Sequence, residues 1–242
     1  MIFELIEDVI KLTLIVVSLH FALGIYVRRR QPTWTGALER RRLLILCALV
    51  LAVSAIMVTE DVLGGDSGPF DRATLLFIRD YLSPSLTGFF EAVTLTGSAM
   101  VLVPLTLVTT IGLLLAGRRV EAMLVAASVT SGGAVVYVIK TVVGRARPEL
   151  WQTEWYWGSS FPSGHTLVVT AFATAVALCI SRMVPAARRF ALAVAMLWVM
   201  LVGFSRMVLG VHWPTDVLAA ACIGALLPLL INMYLALRHG RR

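Results

Sequence analysis

Charged residues are scarce in this sequence. They make up 14% of its 242 residues, against about 25% in an ordinary soluble domain. Apolar residues make up 59%, and the mean hydropathy is +0.87. A globular core of this size cannot bury so much apolar surface, which excludes a water-soluble protein. Disorder is excluded too, because it requires low hydrophobicity. The composition predicts a protein that crosses a membrane several times.

Cysteine and lysine are also rare. Cys47, Cys179 and Cys222 all lie within apolar runs, and their spacing fits neither a metal site nor an obvious disulfide. We therefore expect small, buried apolar side chains at these positions. Lysine occurs only as Lys11 and Lys140 among 21 basic residues, so the retention of a lysine at position 140 suggests a specific need.

The net charge of +7 would suggest a nucleic-acid partner in a soluble protein. Here the basic residues form short clusters between apolar runs, a distribution that reflects membrane topology and not nucleic-acid binding. If the loop at 28–42 is cytoplasmic, 14 basic residues lie inside and six outside. This count predicts an external N-terminus and a cytoplasmic C-terminus.

Seven apolar runs approach the length of about 20 residues that a spanning helix needs. They cover residues 9–27, 43–59, 98–117, 120–139, 165–181, 190–205 and 216–237. The first run follows acidic residues and ends in three arginines, so we interpret it as a retained span and not a signal peptide. The sequence predicts an all-α, polytopic transmembrane helix bundle. Residues 70–92 mix apolar and charged side chains, which favours an interfacial amphipathic helix over a broken eighth span.

Three polar segments lie on the outer side in this topology: 140–148, 161–166 and 205–216. Their cations are suited to phosphate, because Lys and Arg side chains supply charge and many N–H donors. The start of the fifth run adds backbone N–H groups and a partial positive charge, which favour an anion. The residues that would form this phosphate cradle are Lys140, Arg147, Ser163, Gly164 and Arg206.

Two histidines in these segments can supply chemistry that a cradle lacks. His165 and His212 can transfer protons or act as nucleophiles. Asp216 lies four residues after His212 and could hold its imidazole ring in one tautomer. No cysteine cluster or second carboxylate accompanies them, so we expect no metal ion. If the two rings begin in opposite protonation states, kcat/KM should have a bell-shaped pH dependence.

Each of these residues also has a simpler interpretation. Lys140 could be an anchor at a helix end, and Arg145 a solvated loop charge. Ser163 and Asp216 could be helix N-caps. The aromatic residues between the first two polar segments could form an interfacial belt or line a lipid entry; they are Trp151, Trp155, Tyr156 and Trp157. If these segments formed no functional site, the simpler interpretation would have to hold for every one of these residues at once.

The three segments resemble the signature of the type 2 phosphatidic acid phosphatase superfamily, K-x6-R-P, P-S-G-H and S-R-x5-H-x3-D. Every spacing matches, from Lys140 to Arg147-Pro148, through Pro162-Ser163-Gly164-His165, and from Ser205-Arg206 to His212 and Asp216. The resemblance implies a six-helix phosphatase core at residues 43–242, to which residues 1–42 add one span and a basic loop.

The resemblance also implies a mechanism. His212 would attack phosphorus to give a phosphohistidine, Asp216 would orient it, and His165 would protonate the leaving oxygen. The five cradle residues would bind the phosphoryl group without a metal or other cofactor.

These expectations favour a lipid phosphatase of the bacterial inner membrane, with its site facing the periplasm or the exterior. The substrate would be a phosphate monoester or diphosphate of a lipid or polyprenol. Undecaprenyl diphosphate is favoured, and phosphatidylglycerol phosphate, phosphatidic acid and a lipid A phosphate are alternatives. Two other functions stay open, namely a lipid-to-lipid phosphotransferase with the same site and a non-enzymatic anion transporter.

Overall fold

The fold is known from a computed structural model that describes residues 2–31, 35–151 and 158–239. Every regular element in these ranges is helical, which confirms the predicted all-α architecture. The α-helices are α1 (Ile2–Arg30), α2 (Thr35–Arg40), α3 (Arg42–Gly64), α4 (Gly68–Tyr81), α5 (Thr87–Leu95), α6 (Ala99–Leu115), α7 (Arg119–Val143), α8 (Gly164–Met183), α9 (Arg188–Val208) and α10 (Pro214–His239). Short 3-10 turns at Pro84–Leu86 and Pro185–Ala187 precede α5 and α9.

Six helices in the described ranges are long and apolar enough to cross a membrane, namely α1, α3, α7, α8, α9 and α10. The predicted span at 98–117 differs, because α6 has only 17 residues. It qualifies only together with Pro84–Leu95, from which it is bent by 40°. A seventh span would therefore be a bent pair of helices.

The predicted amphipathic helix at 70–92 is divided in the structure. Its first part is α4, and its second part belongs to the bent pair with α6. Helix α4 packs against α9 and α10, and its Asp71 and Leu75 side chains are fully buried. The segment is therefore divided between two helices and is not one helix, and its position in the membrane interface stays a prediction.

Helix α8 lies at the centre of the bundle and packs against α7, α9 and α10. Its Leu167, Val169 and Ala175 side chains are fully buried. Small residues let the neighbouring helices approach closely. A Cβ at Gly224 of α10 would clash with the Leu167 carbonyl oxygen, so α8 and α10 are in backbone contact there.

Helix α1 lies at the edge of the bundle and packs on α3 and α2. Large apolar side chains of α1, α6 and α9 are exposed, as expected for surfaces that lipid covers. The cysteine prediction is confirmed for Cys179 and Cys222, which are buried free thiols, but it is wrong for Cys47, which is exposed on α3.

Candidate active site

The site lies where four helix ends meet at one face of the bundle. Helices α7 and α9 end there, and α8 and α10 begin there. Hydrogen bonds to backbone carbonyl oxygens help to join the three predicted segments. The Ser163 amide donates to the Asp216 carbonyl oxygen (3.2 Å), and Arg147 Nη1 donates to the Val211 carbonyl oxygen (2.8 Å). The loop geometry therefore brings distant parts of the sequence into one cluster.

His212 and Asp216 are buried side by side, with 2% and 0% of their surfaces exposed. His212 Nδ1 lies 3.5 Å from Asp216 Oδ2. The same oxygen accepts a hydrogen bond from the Trp213 amide (2.9 Å). Asp216 is thus the third residue of α10, after Pro214, and its side chain bonds back to the residue before the helix. The interpretation of Asp216 as a helix N-cap is therefore wrong.

The other ring nitrogen of His212 faces Arg147. Arg147 Nη1 lies 3.4 Å from His212 Nε2. Because a guanidinium only donates hydrogen bonds, Nε2 is the acceptor and the ring proton is on Nδ1, toward Asp216. Burial lowers the pKa of His212 from 6.5 to about 4, although Asp216 opposes this change. The ring is therefore neutral near pH 7, with a lone pair on Nε2.

His165 is half-buried at the first turn of α8. Lys140, Arg147, Arg206 and His212 are each close enough to act electrostatically on its ring. The two histidines therefore belong to one site, surrounded by the three predicted cations.

Two of those cations are fixed by the chain around them. Lys140 Nζ donates to the Ser159 carbonyl oxygen (2.6 Å). The Arg206 side chain is buried with 1% exposure, and its Nη1 donates to Thr94 Oγ1 (2.7 Å). Lys140 therefore does more than anchor a helix end.

Ser163 and Gly164 form the start of α8. Ser163 occupies the N-cap position, but its hydroxyl makes a hydrogen bond with the Thr166 hydroxyl (2.9 Å) and none with a backbone amide. The first N–H groups of a helix lack intrahelical partners. The sequence prediction of an anion-favouring helix start is consistent with this arrangement.

Arg145 is the largest departure from the sequence prediction. The expectation of a solvated loop charge is wrong, because only 15% of its side chain is exposed. Its Nη1 donates to Asp216 Oδ1 (2.6 Å), and its Nη2 donates to Asp71 Oδ2 (2.6 Å). The signal available in the sequence was its position among the few basic residues outside the predicted cytoplasmic loops.

Asp71 supplies the second carboxylate that the sequence analysis did not find. It lies on α4, is fully buried, and accepts hydrogen bonds from the Thr215 amide (3.0 Å) and hydroxyl (2.7 Å). Nothing in the spacing of the motifs points to a residue so far upstream. Even with Asp71, no group of three His, Cys, Asp or Glu side chains within the described ranges is arranged to hold a metal.

Trp151 packs beside the site. A Cβ at Gly210, where φ is +66°, would lie 2.6 Å from its indole ring, and the Arg79 guanidinium carbon lies 4.9 Å from the ring centroid. The indole therefore links α4 to the loop before His212. The other predicted aromatic residues, Trp155, Tyr156 and Trp157, lie outside the described residues.

One part of the chain matches a known family. Residues 121–238, which contain all three motifs, match the PAP2 superfamily. Residues 121–238 are a PAP2 superfamily domain. The fold of the chain is also that of transmembrane PAP2 proteins. It superposes on a transmembrane PAP2-type phosphatidylglycerolphosphate phosphatase from Bacillus subtilis with a TM-score of 0.65, at 23% identity, over 79% of this chain and 94% of that one.

Curated relatives of the PAP2 domain are named phosphatases. A lipid A 1-phosphatase from Rhizobium johnstonii is 31% identical over 119 residues, which are 45% of this chain and 46% of that protein. The chain thus spans less than half the length of this relative. Phosphatidylglycerophosphatase B from Bacillus subtilis is 27% identical over 192 residues, which are 78% of this chain and 91% of that protein.

Proposed function

We propose that this integral membrane protein is a lipid phosphatase that works through a phosphohistidine at His212. The observation that carries the proposal is the state of His212 within a PAP2 domain. Its ring is buried and neutral, one nitrogen is directed at Asp216, and the other presents a lone pair beside Arg147. This arrangement suits nucleophilic attack by Nε2 on a phosphoryl group.

In the first step, His212 Nε2 forms a bond to phosphorus while the bond from phosphorus to the lipid oxygen breaks. His165, as imidazolium, gives its proton to that oxygen, and the lipid alcohol or lipid phosphate leaves. The His212 ring becomes positively charged when it is phosphorylated. Asp216, 3.5 Å from Nδ1, stabilises this charge, and such catalytic contacts shorten when the substrate is bound.

In the second step, neutral His165 takes a proton from water as the water oxygen attacks phosphorus. The bond between phosphorus and Nε2 breaks, and inorganic phosphate is released. His212 is again neutral and His165 is again protonated, so the cycle closes.

The cradle residues would stabilise the transferring group. Phosphoryl transfer has a loose transition state with charge on the equatorial oxygens, so positioning and electrostatics provide most of the catalysis. Lys140, Arg147 and Arg206 supply the positive charge, and the first turn of α8, which begins at Gly164, supplies N–H donors.

The substrate is proposed to be a lipid or polyprenol that carries a phosphate monoester or diphosphate. The exposed apolar surfaces of the bundle accommodate the tail. The relatives named above act on phosphatidylglycerol phosphate or lipid A, and undecaprenyl diphosphate stays our prediction from the sequence. The distribution of basic residues supports a site on the periplasmic face of a bacterial inner membrane.

The test is a substrate panel with the purified protein in detergent. We expect release of inorganic phosphate from at least one of undecaprenyl diphosphate, phosphatidylglycerol phosphate, phosphatidic acid and lipid A 1-phosphate. Rapid quenching with a radiolabelled substrate should trap an acid-labile, base-stable phosphoenzyme that His212→Gln lacks. Phosphate found on an added acceptor lipid and not in water would identify a phosphotransferase. Absence of both products from every substrate would refute the proposal.

A further inference from the structure

A buried chain of charges extends behind the His212–Asp216 pair. Asp216 Oδ2 faces His212, whereas Oδ1 accepts a hydrogen bond from Arg145 Nη1 (2.6 Å). The other arm of Arg145 reaches Asp71 (2.6 Å) and Ser67 Oγ (3.0 Å). Asp71 and Asp216 have no exposed surface. Arg145 therefore lies between two buried carboxylates, on the side of Asp216 away from the nucleophile.

Arg145 is held so that it cannot serve the phosphate as Arg147 does. Besides the two carboxylates and Ser67, it donates to Thr215 Oγ1 (2.9 Å), and its guanidinium carbon lies 5.7 Å from the Trp213 ring centroid. Charged groups removed from water need this degree of pairing. Reorienting Arg145 toward a substrate would leave both buried carboxylates uncompensated.

Asp71, which lies on α4, is held in place by the start of α10. The Thr215 amide and hydroxyl donate to its two oxygens, so Asp71 is bound to the first turn of α10, one residue before Asp216. A planar guanidinium can bridge two carboxylates in a fixed geometry, which an ammonium group cannot do.

We propose that Arg145 and Asp71 are positioning residues for the phosphoryl transfer, which fix Asp216 behind His212 and set the net negative charge that Asp216 presents to the ring. This inference rests on the proposed function for its kinetic consequences. Neither residue is part of the three motifs, and neither contacts the ring of His212.

The charge arrangement gives the two residues opposite effects on His212. Four other charged or titratable groups also face the ring of His212. They are Asp216 of α10, Arg206 of α9, His165 of α8 and Arg147. Asp71→Asn leaves Arg145 uncompensated, so the added positive potential should lower the pKa of His212. Arg145→Gln leaves two carboxylates without their cation, which should raise it. Each shift should be on the order of one pH unit.

The kinetic test measures kcat and KM against pH for Asp71→Asn, Arg145→Gln and Arg145→Lys. We expect kcat to fall by about 10- to 100-fold, as when the outer partner of a reacting group is lost, with KM within about threefold. The acid limb of kcat/KM should move down in pH for Asp71→Asn and up for Arg145→Gln. Arg145→Lys keeps the charge but not the geometry, so kcat should fall without a comparable shift.

Matched controls come from the exposed face of α4, the helix that carries Asp71. Arg72→Gln and Asp80→Asn change the same charges on α4 outside the network and should leave both parameters and the acid limb unchanged. A rise in KM at constant kcat for Arg145→Gln would make Arg145 a phosphate ligand and overturn the proposal. Equal rate losses with an unshifted acid limb would also overturn it, since a purely structural role gives that result.

A second measurement does not depend on activity. The chain contains only four histidines, so selective isotope labelling allows NMR titration of the His212 ring, assigned with His212→Gln. Opposite shifts of the His212 titration in Asp71→Asn and Arg145→Gln, with no comparable shift in Arg145→Lys, support the proposal, even if no lipid is hydrolysed. Coincident titrations in all folded variants would refute it, while failure of the wild type on every substrate would refute the proposed function alone.

Discussion

Among the six candidate spanning helices of the described residues, α1 and α8 differ most in burial. Both are long and apolar, yet only 6% of the apolar stretch of α1 is buried inside the protein, against 56% of that of α8. Helix α8 carries His165 and contacts the backbone of α10, whereas α1 packs mainly on α3. Hydropathy therefore shows that both helices are compatible with a membrane but does not show which one carries the site. Equivalent substitutions in the two regions should have very different effects.

The largest difference is expected between two histidines. His212→Ala removes the proposed nucleophile and should lower kcat by at least about 10⁴-fold. His20→Ala, on α1, should leave kcat and KM within about twofold, because small surface or edge changes rarely exceed about 0.5 kcal/mol. Phosphate release from the panel's best substrate measures both. Retention of wild-type activity in His212→Ala would remove the mechanism.

A smaller difference is expected between two arginines. Arg147→Gln removes a cation that stabilises the transition state and should lower kcat by about 10²- to 10³-fold. It should also weaken competitive inhibition by orthovanadate. Arg29→Gln removes an exposed charge at the end of α1 and serves as the control, with no change in either quantity. Unaltered vanadate inhibition in Arg147→Gln would show that this residue does not bind the phosphoryl group.

The pH dependence should show the depressed pKa of His212. The neutral ring is the reactive form, so activity is lost as the pH falls through that pKa. Because burial lowers it to about 4, kcat/KM should fall about tenfold for each pH unit below that value.

A comparison of two substrates with different ionisation provides the control for this profile. A monophosphate and a diphosphate ionise differently, but a limb caused by His212 should lie at the same pH with both. An acid limb near pH 6.5 with both substrates would mean that burial does not suppress protonation of His212.

The smallest effect concerns packing. Gly224→Ala places a methyl group against the Leu167 carbonyl oxygen, and overpacking of this kind should lower the free energy of unfolding by about 1–3 kcal/mol. Gly24→Ala in α1 meets nothing within 4 Å and should be neutral or slightly stabilising. Melting temperatures in one detergent compare them. Equal stability would show that the contact of α8 with α10 is looser than described.

The sequence was sufficient for the parts of the site that depend on local spacing. The order of the motifs, and the alternation of the spans that carry them, predicted that His165, His212 and Arg147 meet at one face. Asp71 could not be found in this way, because it reaches Arg145 through a tertiary contact between residues 74 positions apart. For the same reason Arg145 was misinterpreted, since its partners, and not its neighbours in sequence, determine its burial.

The bent third span could not be predicted for a different reason. Helix α6 has 17 residues, which are too few to qualify as a span by themselves. Hydropathy does not report where a helix breaks. The break lies between Leu95 and Ala99, where the amides of Thr96, Gly97 and Ser98 bond back to carbonyl oxygens of α5. A Cβ at Gly97 would lie 2.8 Å from the Val202 side chain, so close contact with α9 accompanies the bend.

The attachment of Asp71 to α10 has a consequence for how the protein matures. All three motifs lie within residues 140–216, yet Asp71, one of the two carboxylates that pair with Arg145, is synthesised much earlier, with α4. A fragment that began at α7 would contain every motif residue while leaving a guanidinium and the Thr215 hydroxyl without Asp71. The minimal unit that can be transplanted into another scaffold must therefore begin upstream of the motifs, at Ser67 or before.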